Sequence, residues 1–226
     1  YNHDGTPYPG WPQSFSSGLP VTLADIDRND NGKLEVVLLY VSGWNAWITV
    51  LNHDGTVVPG WPHQILFNTY DGSKVLWDIA AADLDNNGDL EIVARANNTL
   101  YVLNHDGTVA LGWPVLLPPN VRPFHALAVD LDGDGTKEIV LNNLYYDPNI
   151  PAFHADFLAY HADGTMAAGF PKTLYSAFDT LASDDFDGDG KVDIIVIDRS
   201  GLMYLWGYPG AASSSALAWP LYRQNS

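Results

Sequence analysis

The sequence contains no cysteine, and only ten lysines and arginines stand against 27 aspartates and glutamates. The first absence excludes a disulfide frame and thiol catalysis, and removes the sulfur ligands that zinc and copper favour. The second excludes nucleic acid as a partner, because a chain of formal charge −17 offers no basic cluster to neutralise phosphates. Helix signals are missing too: no segment sustains a 3.6-residue apolar period between caps. No apolar run approaches the ~20 residues of a membrane-spanning helix, and no charged-then-apolar leader stands at Tyr1. Among catalytic patterns, Gly-x-Ser-x-Gly, His-Glu-x-x-His and the P-loop are all absent.

Glutamate is scarce, and its placement is informative. All three glutamates (Glu35, Glu91 and Glu138) close Asp-rich loops, and those loops hold 16 of the 27 acidic residues. The loops run from Asp25 to Glu35, Asp83 to Glu91, Asp130 to Glu138 and Asp185 to Asp193. Between them a second signal recurs. Asn2-His3-Asp4-Gly5-Thr6 returns at Asn52 to Thr56, at Asn104 to Thr108 and, altered, at His161 to Thr165. An aromatic-Pro pair follows each of these: Trp11-Pro12, Trp61-Pro62, Trp113-Pro114 and Phe170-Pro171, with a fifth at Trp219-Pro220. A period of about 50 residues marks a propeller or solenoid.

Each period reads as four short strands. One ends at the acidic loop (Ile79 to Ala82, Ala126 to Val129) and one leaves it (Glu35 to Tyr40, Glu91 to Ala94, Ile194 to Ile197). A third enters the Asp-Gly turn and a fourth ends near the aromatic-Pro pair. Runs such as Val36 to Leu39 and Ile194 to Ile197 are apolar on both faces, as strands sandwiched between sheets should be. The fold expected is all-β: a β-propeller-like array of four-stranded blades, with four complete blades and an N-terminal half-blade. One array fills residues 1–226, with the half-blade at 1–17 and units near 18–67, 68–118, 119–173 and 174–222. The last turn is expected at Gly207-Tyr-Pro-Gly210.

Loops of the form Asp-x-Asp-x-(Asp/Asn)-Gly-x-x-(Glu/Asp) suit Ca²⁺, a hard cation that takes six to eight oxygens. Alternate side chains supply oxygens, glycine permits the sharp turn, and the closing carboxylate can bind through both atoms. The expected ligands are Asp25, Asp27, Asn29, Asn31 and Glu35; Asp83, Asp85, Asn87 and Glu91; Asp130, Asp132, Asp134 and Glu138; and Asp185, Asp187, Asp189 and Asp193. The first loop is longer by two residues, so Asn29, Asp30 and Asn31 compete for its middle positions. Four Ca²⁺ ions would bring the formal charge from −17 to −9, which couples folding to metal.

These loops resemble those of integrin-α-type (FG-GAP, VCBS-like) repeats, which also occur in fungal and bacterial lectins and beside secreted hydrolases. The resemblance implies a loop that joins the first two strands of a blade and binds Ca²⁺, hence up to four sites here. It implies an extracellular or cell-surface binding or scaffold module, lectin-like or adhesive, and not an enzyme. Its partners would be a glycan or a surface protein. A chain that opens with half a blade also leaves strand edges unpaired, which three readings explain: a piece of a larger propeller, a hairpin packed on a closed four-bladed ring, or a self-assembling ring or filament. The last, a homo-oligomer joined through the N-terminal half-blade, is the alternative function.

Ligand candidates lie where inner strands begin. Trp77-Asp78, Phe124-His125 and Phe178-Asp179 each pair an aromatic face with a polar group, suited to a saccharide or simply to packing. A distant alternative makes Asp78 and Asp179 the two carboxylates of a glycoside-active enzyme. Insertions at Gly43 to Trp47 and Tyr145 to His154 carry aromatics that can meet a partner. The Trp-Pro tryptophans read as packing between blades rather than as sugar platforms. His3, His53 and His105 read as residues that help satisfy the turn backbone. Asn97-Asn98-Thr99 is a glycosylation sequon.

Overall fold

The short apolar runs fold as strands, and no helix forms among the described residues. The computed structural model describes residues 1–15, 20–26, 33–43, 45–65, 76–96, 98–117, 126–147, 152–174, 178–198 and 201–211. The strands form four sheets, each in chain order. The first sheet holds β1 (Val21–Ala24), β2 (Glu35–Ser42), β3 (Asn45–Leu51) and β4 (His63–Ile65). The second holds β5 (Leu76–Ala82), β6 (Glu91–Ala96), β7 (Thr99–Leu103) and β8 (Val115–Leu116). β9 (Ala126–Val129), β10 (Glu138–Asp147), β11 (Ala152–Tyr160) and β12 (Lys172–Leu174) make the third. The fourth has three strands, β13 (Phe178–Asp184), β14 (Lys191–Asp198) and β15 (Met203–Ala211). Neighbours pair antiparallel, as in Ala24↔Glu35 across the first acidic loop and Val129↔Glu138 across the third. Each acidic loop therefore joins the first two strands of its sheet.

Two expectations need correction. The opening segment 1–15 contains the Asp-Gly turn and the aromatic-Pro arm but no strand, so it is not half a sheet. In the fourth sheet β15 runs through Gly207-Tyr-Pro-Gly210 without turning, with only a register shift where Lys191 and Asp193 pair with Ala211 and Gly207. That segment lacks the Asn and Asp side chains that close the other turns by hydrogen bonds, so nothing locks a reversal there. Trp219 and Pro220 lie outside the described residues.

The chain divides into two compact units, Tyr1–Ala81 with Asp89–Ala110 and Ala82–Gly88 with Leu111–Ser226. In the first unit Val37 and Leu39 of β2 and Ala46, Ile48 and Val50 of β3 form one core with Ile79, Ala81, Ile92, Ala94 and Ala96 from β5 and β6. Residues two apart share a face, so this core seals one face of the first sheet against one face of the second sheet's inner strands. In the second unit, where Ile139, Leu141, Ile194 and Val196 are buried, aromatics also stack: Phe157 of β11 lies on Trp206 of β15 with ring centroids 5.4 Å apart. Phe170 lies 5.4 Å from Phe157 and stacks on Tyr208 at 6.1 Å.

Candidate metal-binding loops

Two kinds of Asp-rich turn recur along the chain, and they satisfy their carboxylates differently. In Asn52 to Thr56, the Thr56 amide and hydroxyl both donate to Asp54 Oδ1, at 3.0 and 2.6 Å, and Asn52 Nδ2 donates to Thr56 Oγ1 at 3.0 Å. The same pattern holds at Asn2 to Thr6 and Asn104 to Thr108. At His161 to Thr165 the Thr–Asp pair persists. These hydrogen bonds from threonine hold Asp4, Asp54, Asp106 and Asp163 below the usual aspartate range. The turn's threonine amide is thus satisfied by aspartate and its hydroxyl by aspartate and asparagine, not by the histidines. The His53 ring lies instead 2.7 Å from Lys33 Nζ, and His105 lies 3.5 Å from Asp89. An aspartate reaches the amide two residues on in a way that imidazole, held further from the chain, does not.

The acidic loops aim their oxygens inward. The closing carboxylates are buried: Glu35, Glu91, Glu138 and Asp193 are 0, 5, 1 and 6% exposed. One oxygen of each of three accepts the amide that follows the loop's first aspartate: Ile26 to Glu35 at 2.9 Å, Leu131 to Glu138 at 2.7 Å and Phe186 to Asp193 at 3.0 Å. Asp193 also joins Asp185 and Asp187 in one cluster, whereas the second oxygen of Glu138 lies 2.9 Å from His161 Nδ1. First aspartates brace the glycine at position six, from Gly88, Gly135 and Gly190 to Asp83, Asp130 and Asp185. Position four is left-handed in the last three loops, as Asn86 (φ 58°), Gly133 (82°) and Gly188 (80°). Asparagine is among the few side chains that tolerate it.

The loops gather side-chain oxygens within 4.8 Å of one another in three groups: Asp83, Asp85 and Glu91; Asp130, Asp132 and Asp134; and Asp185, Asp187 and Asp193. Oxygens this close can share one ion, since opposite donors around an ion with ~2.4 Å bonds are about 4.8 Å apart. Asp25 Oδ1 and Asp83 Oδ1 are buried with no hydrogen-bond partner, an arrangement that a cation would satisfy. Burial pushes the Glu138 carboxyl up, and nearby Asp132 adds to the rise, while the Leu131 amide and His161 oppose it. His161 Nδ1 stands 2.9 Å from Glu138 Oε1, forming a fourth group with Asp132 that the sequence reading missed. Its signal was the replacement of the turn's first asparagine by histidine. The donor set, oxygen in three groups of four, fits Ca²⁺.

Asp27, Asn29 and Asn31 of the first loop lie outside the described residues, as do Phe124 and His125. Trp77 and Asp78 occupy early positions of β5, and Phe178 and Asp179 begin β13, where the register shifts between Phe178 and Thr180. Their side chains are not among those described. The Trp-Pro tryptophans, in contrast, have a defined task. Trp11 Nε1 donates to the His53 carbonyl at 2.8 Å, Trp61 Nε1 to His105 at 3.3 Å and Trp113 Nε1 to Ala162 at 2.8 Å. Each indole thereby fastens to the following Asp-Gly turn. The preceding glycine makes this approach feasible, because a Cβ at Gly10, Gly60 or Gly112 would fall on the carbonyl of Asp54, Asp106 or Asp163. Trp61 and Trp113 are both buried and Trp11 is half-buried, as packing residues should be.

Among solved structures, the crystal structure of the V. cholerae biofilm matrix protein Bap1 aligns with a TM-score of 0.44 at 16% identity, covering 91% of this chain. The chain spans 41% of that protein's length. Comparison with curated proteins gives no match. The FG-GAP-like repeat model matches residues 27–94 and 93–141, together just over half of the 226 positions. By that match, the chain belongs to the FG-GAP-like repeat family.

Proposed function

We propose that this chain is a calcium-stabilised scaffold module of an extracellular adhesive protein, with the acidic loops as its metal sites. The observation that carries the reading is the repeated inward convergence of loop carboxylates. Uncompensated, such groups repel one another and cost the fold stability; with Ca²⁺ they become its cross-braces. Extracellular modules of this chemistry work at about 10⁻⁴–10⁻³ M calcium, a range met outside cells and not in the cytosol. No helix among the described residues is long and apolar enough to cross a membrane. The proposed role is mechanical and adhesive rather than catalytic: the repeated carboxylates are committed to the loops and turns.

Calorimetric titration of the metal-free chain tests this. Calcium should bind at several sites with dissociation constants near 10⁻⁴–10⁻³ M, and magnesium much more weakly, since it sheds its waters reluctantly. Absence of calcium heat at millimolar concentration would remove the proposal.

A further inference from the structure

One residue fastens the second acidic loop to the third. Lys137, which precedes the closing Glu138, donates its backbone amide to the Leu84 carbonyl and its Nζ to the Asp83 carbonyl, both at 2.7 Å. Two successive carbonyls of the second loop are therefore gripped from the third. The loops approach at a further point, since a Cβ at Gly135 would stand 3.9 Å from Asn86 Nδ2. Ala82–Gly88 belongs to the same compact unit as the third loop, so these contacts all lie inside one unit.

The arrangement is particular to this pair of loops. At the place of Lys137 the other loops carry Leu34, Leu90 and Val192, whose side chains have no donor. The Leu131 carbonyl, which corresponds to that of Leu84, accepts the Gly210 amide at 3.0 Å, but Gly210 belongs to β15 and to no acidic loop. What Lys137 holds is the backbone that carries the second loop's first carboxylate. Asp83 Oδ2 accepts the Gly88 amide at 3.1 Å, and Asp83 Oδ1 is buried without a hydrogen-bond partner. On its own side Lys137 stands between two parts of the third loop's donor set. Thr136 donates its amide and hydroxyl to Asp134 Oδ1, both at 2.7 Å, and the Glu138 carboxylate is buried.

We infer that the second and third loops take up calcium as a coupled pair, with Lys137 as the positioning residue between them. The inference rests on the reading of these loops as calcium sites and adds that two of them are not independent. An ion held by Asp134 and Glu138 fixes the stretch that contains Lys137, and Lys137 in turn fixes Asp83 and Leu84. An ion entering the second loop then meets a backbone already ordered, so it binds more tightly than it would alone. By linkage the effect is reciprocal, and an ion in the second loop favours the third to the same degree. Among the described residues no hydrogen bond joins the fourth loop to another acidic loop, so the fourth fills independently.

Nuclear magnetic resonance of the full chain, titrated with calcium chloride, tests it. The amides of Gly88, Gly135 and Gly190 each donate to the first aspartate of their loop, so they report the three loops separately. Asp132→Ala with Asp134→Ala disables the third loop at two exposed positions. In that variant the calcium dissociation constant read at Gly88 should rise at least about fivefold, while that read at Gly190 stays as in the parent. Lys137→Met keeps the stem and the backbone amide but removes the ammonium, and in its background the same two alanines should leave the Gly88 constant unchanged. Loss of the lysine charge shifts the affinities of both loops, but it does not make one depend on the other. An unchanged Gly190 constant shows that each variant is folded, and the comparison made in the parent background stands by itself if Lys137→Met does not fold. A Gly88 constant that ignores the third loop in the parent background, or that still follows it in Lys137→Met, would overturn the inference and leave the calcium sites standing. Glycine amides that ignore calcium altogether would remove the calcium reading and the coupling with it.

Discussion

Carboxylates sit in two different settings in this molecule, and the contrast separates those the chain satisfies by its own local hydrogen bonds from those it draws together. In the Asp-Gly turns each carboxylate accepts two hydrogen bonds from a threonine two residues on, and its pKa falls. In the acidic loops carboxylates brace backbone amides with one oxygen and converge with the others, and burial pushes the Glu138 carboxyl up. One environment is complete without a ligand. The other draws carboxylates together, and the difference lies in geometry.

The largest way to expose that difference is to remove calcium. Each site that is lost should cost about 2.7 kcal/mol if the metal was present at a hundred times its dissociation constant. Thermal unfolding with and without a chelator measures the sum; an unchanged midpoint would erase the distinction between loops and turns. A smaller effect should come from single residues. Glu138→Gln keeps the acceptor for the Leu131 amide but deletes a ligand charge, so calcium affinity at that loop should fall at least about tenfold. Asp106→Ala should leave calcium binding unchanged and cost about 1 kcal/mol or less, because its turn is exposed and its hydrogen bonds are partly replaced by water.

Acid should separate the two classes by sign. The turn aspartates have lowered folded pKa values, so their contribution is present above the unfolded value near 3.8 and lost only as pH falls through the lower folded one. Glu138 is raised from 4.5: in the metal-free chain its burial favours folding at low pH, and that stability is lost as pH rises through its folded pKa. Calcium needs the ionised form, so affinity should weaken as pH drops towards that raised value while the turns remain intact. Calcium titrations at stepped pH, alongside dichroism, check the order of events.

Much of the first contrast was legible in the sequence. Asp-x-Asp spacing closed by Glu or Asp picks out loops whose carboxylates the fold brings together, and β9 occupies the expected Ala126 to Val129 because its run is short and apolar. The role of Trp11, Trp61 and Trp113 was legible only as packing. Their hydrogen bonds span more than 40 positions, from Trp11 to His53 for example, and reach a backbone carbonyl that no sequence pattern displays. The misplaced last turn has a similar cause. Gly207-Tyr-Pro-Gly210 carries turn residues, yet the ring of Tyr208 stacks on Phe170 and the Gly210 amide donates to the Leu131 carbonyl at 3.0 Å, holding the strand straight. A distant contact overrode local preference there.

The tryptophan arms read a carbonyl and ignore the side chain beside it. Their acceptors belong to His53, His105 and Ala162, three positions with two chemistries and one outcome. A gene segment copied in tandem therefore arrives already carrying both halves of its fastener, the arm at its end and the socket in its turn. Arrays of this kind can lengthen by duplication without first evolving a new joint, and the residue at the socket is left free to drift.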